Sequence, residues 1–407
     1  MTRTVAIIGA GAAGCFAAAE ILRRCGDADV HIFESGRKPL SKVAVTGGGR
    51  CNYTNTFEGV KSVQEVYPRG ARLMKRLLKP YGKDYVIRWF AERGVPPAVP
   101  DDGGCIFPRS QKASDIVGAL LRGCRCAKMH LGCKAGKIRS VEDGFSIETP
   151  EGLFQASYVL VTTGGSPSPE GISFLGPLHI ATVPPVPSLY TFEILDKDLR
   201  ALTGIVVEAS LRIPGTTLRS SGPLLVTDWG LSGPAALKLS SYAARHLYER
   251  GFRSPLSVNW LSMNENEAEA LVVDILSEAP SKLLSTADFL PSRLWAHIIS
   301  RAGLRGDIRR AEMGSKGVRR LVAALTGDTY EISGKGRFRD EFVTAGGVDL
   351  QGINLSTMES KAHRGLYFAG EVLDVDAVTG GFNLQAAWAT GAAAAASIAA
   401  ELLAPPA

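Results

Sequence analysis

Hydrophobic positions fall along the chain in continuous runs, helical stripes and strict alternations, and each kind predicts a different element. Thr4-Val5-Ala6-Ile7-Ile8 is a continuous β-branched run, the mark of a buried parallel strand. Gly9-Ala10-Gly11-Ala12-Ala13-Gly14 follows at once, then an apolar helix through Ala19, Ile21 and Leu22. A second strand, Val30-His31-Ile32-Phe33, ends at Glu34. Residues 62–93 carry an interrupted helical face of Leu73, Leu77, Tyr85, Ile87, Trp89 and Phe90. Asp101-Asp102-Gly103-Gly104 predicts a turn leading into a short strand through Cys105-Ile106-Phe107-Pro108, and Ser110 to Leu121 a helix. Met129 to Cys133, Gly136 to Arg139 and Phe145 to Thr149 predict short strands, and Tyr158 to Thr163 another buried parallel strand that runs into Gly164-Gly165.

The pattern then changes. Pro167, Pro169, Pro177, Pro184, Pro185 and Pro187 mark a linker. From Thr191 to about Val226 apolar and polar residues alternate, as in a barrel, and Gly230-Leu231-Ser232-Gly233-Pro234 opens a helix that reaches Leu247. Residues 263–328 predict helices with polar breaks, and Glu331 to Thr344 restores strand character. Gly365-Leu366-Tyr367-Phe368-Ala369-Gly370-Glu371 is a strand entering a glycine turn, and Asp374, Asp376, Gly380, Gly381 and Asn383 precede a long alanine-rich helix.

The first strand, turn and helix carry a chemistry. Gly9 allows a tight turn, Gly11 lets backbone amides approach a pyrophosphate, and Gly14 lets helix and strand pack closely. The helix N-terminus adds positive potential. Glu34, twenty positions past Gly14, is placed to accept hydrogen bonds from ribose hydroxyls, which disfavours NADP at this site. A bare GxGxxG also fills ordinary turns. Here strand, helix, second strand and acid stand in order, so dinucleotide binding is the expectation. A second glycine turn and helix at the far end of the chain then favours FAD over NAD, because a flavin lies extended towards that end. Amides of the helix starting at Asn383 and Leu384 can face a flavin carbonyl, and Asp374 a ribityl or phosphate-side hydroxyl. Between the two ends, Thr46-Gly47-Gly48-Gly49-Arg50-Cys51-Asn52 reads as a loop that lies against a flat or anionic ligand, with Arg50 or Lys42 as counter-charge. The alternative is a surface hairpin.

Composition adds limits. The chain has 407 residues, 45% hydrophobic and 21% charged, enough for two or three domains with ordinary cores. No basic-plus-apolar leader precedes the first strand, and Leu384 to Leu403, interrupted by Gln385, Thr390 and Glu401, reads as a packed helix; a cytoplasmic protein without a membrane partner is expected. Seven cysteines without a CxxC read as reduced thiols. Cys124, Cys126, His130 and Cys133 raise a zinc question, but their spacing and alternate faces argue against a metal. The net charge of +6 is concentrated between Arg293 and Arg320, where Arg293, Arg301, Arg305, Arg309, Arg310, Lys316, Arg319 and Arg320 face only Asp307 and Glu312. That segment is either a solvated helical face or a contact for a phosphate-rich partner such as RNA.

Thr46 to Asn55, Phe107-Pro108-Arg109-Ser110, Gly230 to Pro234, Val343-Thr344-Ala345-Gly346-Gly347-Val348 and Gly370-Glu371-Val372-Leu373-Asp374 to Gly381-Phe382-Asn383-Leu384-Gln385 together resemble one family, the YhiN-type FAD-binding flavoproteins, also called aminoacetone-oxidase-like or BaiN-like. The resemblance spans nearly the whole chain. It implies an α/β fold: a discontinuous Rossmann-like FAD-binding domain with an inserted β-barrel and a helical subdomain. The expected divisions are 1–188 and 345–407 for the FAD domain, 189–256 and 329–344 for the barrel, and 257–328 for the helices. The expected cofactor set is Gly9, Ala10, Gly11, Ala12, Ala13, Gly14, Glu34, Lys42, Gly48, Gly49, Arg50, Cys51, Asn52, Ala135, Thr163, Gly164, Gly370, Glu371, Asp374, Gly381, Asn383 and Leu384, with no metal ligand.

Members of that family are associated with reduction of conjugated C=C bonds, in bile-acid enones and in a uracil of ribosomal RNA, and with amine oxidation. The resemblance therefore implies an FAD-dependent oxidoreductase. The leading expectation is a reductase of an activated double bond in a small molecule or nucleobase, with NADH or NADPH as transient donor. A small-amine oxidase and an RNA- or partner-binding protein with structural FAD are the alternatives. Two departures bear on substrate: Ser166 to His179 is short and proline-rich, and Asp228 stands before Trp229-Gly230 where the family often has histidine. His179 and Asp228 are substrate-side candidates, and Cys51 and Arg50 are the catalytic candidates. The sequence leaves the oligomeric state open.

Overall fold

A computed structural model describes residues 3–98, 104–166, 168–286, 289–336 and 343–405. The chain forms two compact units, Met1–Pro187 with Val343–Ala407, and Ser188–Phe342.

The first unit is built on a five-stranded parallel sheet. Its order is Leu366–Phe368, Tyr158–Val161, Thr4–Ile8, Asp29–Glu34, Lys128–Leu131. The central strands are continuous apolar runs because both sheet faces are covered: Val5, Ala6, Ile7, Val159, Leu160 and Val161 have no exposed surface. Ile8 pairs with both Phe33 and Val161, and Val161 with Phe368, so all the carboxyl ends finish in one line. In such sheets that edge is where ligands bind.

Helix Ala12–Arg24 covers one face and packs on the C-terminal helix Phe382–Leu403, with Phe16 and Trp388 rings 5.3 Å apart. The alanines of the C-terminal helix serve this helix-to-helix approach. By length and composition that helix could cross a membrane, but two-thirds of its most apolar window is buried inside the protein, as for a core helix. Glu20, on Ala12–Arg24, is fully buried: Tyr85 Oη (2.5 Å) and Trp89 Nε1 (2.8 Å) donate to it, as do Arg23 and Arg24.

Residues 62–93 form three helical pieces, Val63–Val66, Ala71–Tyr81 and Lys83–Ala91, broken at Gly70 and Gly82. The expected strand after the 101–104 turn is Cys105–Pro108; residues 101–103 lie outside the described residues. Strands Ile138–Val141 and Gly144–Thr149 are joined by a third, Gly152–Ala156, in a small antiparallel sheet.

The proline-rich stretch is not simply a linker. Its Pro167 is outside the described residues, but Thr182–Ser188 is a strand that pairs with Val343–Val348. Asp349 N donates to Ala181 O at 2.9 Å, which sets the two running in opposite directions, so the chain leaves and re-enters this unit side by side.

The second unit is a closed barrel in the order Phe192–Ile194, Gly230–Ser232, Arg219–Thr227, Val206–Arg212, Ser254–Asn259, Asp328–Lys335. Gly230–Ser232, expected to open a helix, is a strand; the helix is Gly233–Tyr242. Helices Glu265–Glu278, Ser292–Arg301 and Ser315–Gly327 share the barrel's core. Their Val272, Trp295, Ile298 and Leu321 belong to the same buried cluster as the barrel residues Phe192, Leu211, Leu256 and Ile332.

Candidate functional site

The glycine turn sits at the carboxyl edge of the sheet, and neighbouring atoms dictate its residues. Gly9 has φ +110°, and a Cβ there would lie 2.5 Å from Thr162 O. A Cβ on Gly14 would lie 2.0 Å from Gly9 O and 2.6 Å from Thr162 Oγ1, so helix and strand touch backbone to backbone. Thr162 Oγ1 donates towards Gly9 O (2.8 Å) and Ile8 O (3.0 Å) and pins the turn. Gly11 differs: a Cβ there would meet no protein atom within 4 Å. Protein packing explains Gly9 and Gly14, while Gly11 borders open space, as a pyrophosphate-binding glycine does.

Glu34 ends its strand beside this turn. Its carboxylate accepts from Ala10 N (2.9 Å) and Gly36 N (2.7 Å), which fixes its direction at the lip of a cleft. The cleft has about 1040 Å³ of empty space including its mouth. Gly9, Ala10, Gly11, Ala12, Ala13, Glu34, Lys42, Thr163, Gly164, Gly370, Glu371, Asn383 and Leu384 line it, all expected from the sequence. Thr46, from the loop read as lying against a ligand, lines it as well, and so do Lys38, Leu40, Ser41, Val43, Thr162, Val375, Ala386 and Ala387, which were not expected. Several of these come from a short helix, Ser41–Val45, in a stretch that reads as irregular. Lys42 Nζ lies 3.9 Å from Glu371 Oε2, and Glu371 Oε1 accepts from Thr344 N (2.8 Å).

Other expected residues stand elsewhere. Gly48 and Gly49 are in an exposed turn outside the cleft lining, and Arg50 lies over the Phe107 ring at 4.6 Å, exposed. Cys51 is fully buried beneath that loop, and burial pushes its thiol up to about 12. It stands outside the cleft lining. Asn52, with its amide oriented to satisfy both neighbours, donates to Thr54 O (2.9 Å) and accepts from Gly381 N (3.1 Å). It therefore ties the loop to the start of the C-terminal helix rather than facing the cleft. The Asn383 side chain likewise closes on Ala377, accepting from its N (2.8 Å) and donating to its O (2.9 Å). What remains for a ligand is the backbone of that first turn, whose N–H groups have no carbonyl behind them in the helix. Asp374 is half-buried, its N–H donating to Val348 O, and does not line the cleft. Ala135 does not line it either; it lies two residues past Cys133, whose N–H donates to Glu34 O (2.8 Å).

His179 is exposed with φ +49°, and Asp228 is exposed, its carbonyl accepting from Arg200 Nε (2.5 Å). Among the described residues no three His, Cys, Asp or Glu side chains converge as metal ligands. His130 instead meets His31 at 3.0 Å, and the Cys124 thiol donates to Leu121 O (3.7 Å).

Much of the basic segment is engaged internally. Arg310 is buried and donates to Ile275 O (2.7 Å) and Thr286 O, and Arg301 donates to Asp328 (2.7 Å). Arg320 donates to Ala302 O and Gly303 O, Arg293 to Ala201 O and Thr203 O, and Arg305 pairs with Asp307. Lys316 and Arg319 stay exposed.

The cleft fits FAD. It offers a turn with one glycine bordering open space, a carboxylate at the second strand, a lysine above the turn, and a second helix N-terminus contributed by the far end of the chain. Comparison with known proteins agrees. The family described as HI0933-like protein Rossmann domain matches residues 3–397. A ribosomal RNA dihydrouridine synthase of Haemophilus influenzae is 31% identical, over 96% of this chain and 97% of that protein. A 3-dehydro-bile acid delta(4,6)-reductase of Clostridium scindens is 28% identical, over 95% and 97%. Among solved structures, the E. coli quinol fumarate reductase FrdA matches 99% of this chain and 70% of its own at 13% identity, with a TM-score of 0.51, a likeness of fold.

Proposed function

Because the chain belongs to the HI0933-like Rossmann-domain family, and is an FAD-dependent oxidoreductase, we propose that it reduces an activated C=C bond, with a uracil of ribosomal RNA as its substrate. The observation that carries this reading is the shared chemistry of its near-full-length relatives. One is named for reducing a bile acid; two are named for making dihydrouridine, which is uridine without its C5–C6 double bond. The two dihydrouridine synthases, at 31% and 28% identity, favour the nucleobase.

FAD, when bound, supplies the hydride chemistry. The chain's own residues supply position and charge. Backbone amides from Gly11 to Gly14, with the helix dipole behind them, would hold the pyrophosphate, since Gly9 N and Ala10 N already donate to Phe33 O and Glu34. Glu34 accepts from ribose hydroxyls. The first-turn amides of Phe382–Leu403 favour negative charge at the other end of the cleft. Lys42, paired loosely with Glu371, adds a movable cation at the cleft wall. No second GxGxxG stands in the sequence, so NADH or NADPH acts as a donor that visits and leaves.

The test is anaerobic. NADPH or NADH should bleach the yellow protein, and unmodified ribosomal RNA should restore the colour and gain dihydrouridine by mass spectrometry. Reoxidation by a dehydro-bile acid but not by RNA would move the assignment to an enone. A flavin that neither nucleotide reduces would refute the reductase reading.

A further inference from the structure

The largest cavity described here lies within the second unit, far along the sequence from the glycine turn, and the chemistry above does not use it. It is a trough with about 1510 Å³ of empty space, its mouth included, over the strands Val206–Arg212, Arg219–Thr227 and Ser254–Asn259. On the first of these strands Ala209 and Leu211 point into the core, so Ser210 and Arg212 point away from it. Register carries the same face across the sheet. Ser210 stands opposite Ser221 and Asn259, and Arg212 opposite Arg219 and Ser257. Lys238 borders the trough from helix Gly233–Tyr242, its Nζ 3.5 Å from Ser221 O.

Two arginines directly opposite each other in a sheet repel. Neither Arg212 nor Arg219 has an ion-pair partner among the described residues, and both are exposed. Among the described residues Glu265 is the one carboxylate lining the trough; Glu208, on the same face as Ser210, does not line it. Three cations among serine hydroxyls and two asparagine amides form a set that binds phosphate oxygens through charge and ribose or phosphate groups through hydrogen bonds. Among the described residues the apolar lining is limited to Leu211, Met263 and part of Tyr242, with no facing pair of aromatic walls to hold a nicotinamide or adenine ring. The arginines of residues 293–320 are largely spent on internal acceptors, as described above. We propose that this barrel face binds the phosphodiester backbone of single-stranded RNA. The inference rests on the reading that RNA is the substrate, and it assigns to the trough the electrostatic contact that the helical arginines do not supply.

The experiment uses the FAD-loaded full-length protein and a fluorescein-labelled, mixed-sequence 20-mer oligoribonucleotide, with anisotropy followed against KCl. If Arg212, Arg219 and Lys238 each neutralise one phosphate, the triple variant R212Q/R219Q/K238Q lowers the slope of log K against log salt by about 2, and weakens binding at 0.1 M salt by about 100-fold. A second variant, R305Q/K316Q/R319Q, keeps wild-type affinity. Unchanged flavin content and melting temperature in the first variant exclude misfolding as the cause. Wild-type RNA affinity in the barrel-face variant, or no RNA binding by the native protein, would overturn the proposal. So would a barrel-face variant that keeps RNA but loses NADPH binding, which would assign the trough to a dinucleotide phosphate. Ribosomal dihydrouridine in a deletion strain, measured separately, tests the substrate reading. A strain that loses dihydrouridine, beside a barrel-face variant with normal RNA affinity, would overturn the docking surface alone.

Discussion

Glu20→Gln tests how the glycine-turn helix is held. Burial works against the Glu20 charge. Hydrogen bonds from Arg23, Tyr85 and Arg24, with the Arg24 charge, overcome it and hold the carboxyl at about 2, against an ordinary value of 4.5. A depressed folded-state pKa stabilises the protein above the unfolded value, and that contribution is lost as pH falls from 4.5 towards 2. At about 1.4 kcal/mol per unit, the charge contributes roughly 3 kcal/mol at pH 7. By pH 3.5 about 1.4 kcal/mol of that has gone. Glutamine keeps much of the shape and an acceptor for Trp89, but not the charge facing the two arginines. The readout is the hydrogen-exchange opening free energy of Ala12–Arg24 amides in both proteins at pH 7 and, after correction for intrinsic rates, at pH 3.5. The variant should be weaker by roughly 3 kcal/mol at pH 7 and by about 2 kcal/mol at pH 3.5. A gap that is the same at both values would refute the charge argument.

Three further perturbations separate packing from ligand space. Gly11→Ala should leave the melting temperature of FAD-free protein within about 2 °C, a shift worth about 1 kcal/mol, yet lower FAD uptake at least tenfold, because its Cβ meets no atom of the described residues within 4 Å. Gly14→Ala should instead destabilise the FAD-free protein itself; equal effects of the two in thermal melts would contradict the distinction. Tyr53 Oη is buried with no hydrogen-bond partner among the described residues, so Tyr53→Phe should stabilise by up to about 1 kcal/mol in urea titration, and a loss of more than 1 kcal/mol would show a hidden partner. Asp328 is buried and accepts from Trp260 Nε1 (3.1 Å), Tyr330 Oη and Arg301, so Asp328→Ala should cost about 3 kcal/mol, read as a lower urea midpoint.

What the sequence made legible follows the physics of each element. Thr4–Ile8 and Tyr158–Val161 are buried on both faces and therefore advertise themselves as unbroken apolar runs. Gly152–Ala156 does not: Leu153 is 67% exposed, and nothing in its residues distinguishes it from a turn. Thr182–Ser188 hides behind three prolines, which lack the N–H of a ladder and so read as linker. In the cleft, glycine spacing located the turn and Glu34 the second strand. Thr162 was passed over for Thr163, although Thr162 is the side chain that pins Gly9, because its role depends on a neighbour some 150 residues away. Asn52 and Asn383 have ligand-like side chains whose partners turn out to be backbone. The charge of residues 293–320 was plain to read, whereas the carbonyls and carboxylates that absorb much of it come from elements distant in sequence.

The antiparallel pairing of Thr182–Ser188 with Val343–Val348 makes the barrel a detachable cassette. Both seams of the splice are already clamped shoulder to shoulder, so a long excursion between them adds little closure entropy to the nucleotide-holding half. A lineage could lengthen, trim or exchange everything between those seams without rewriting the machinery that grips the nucleotide.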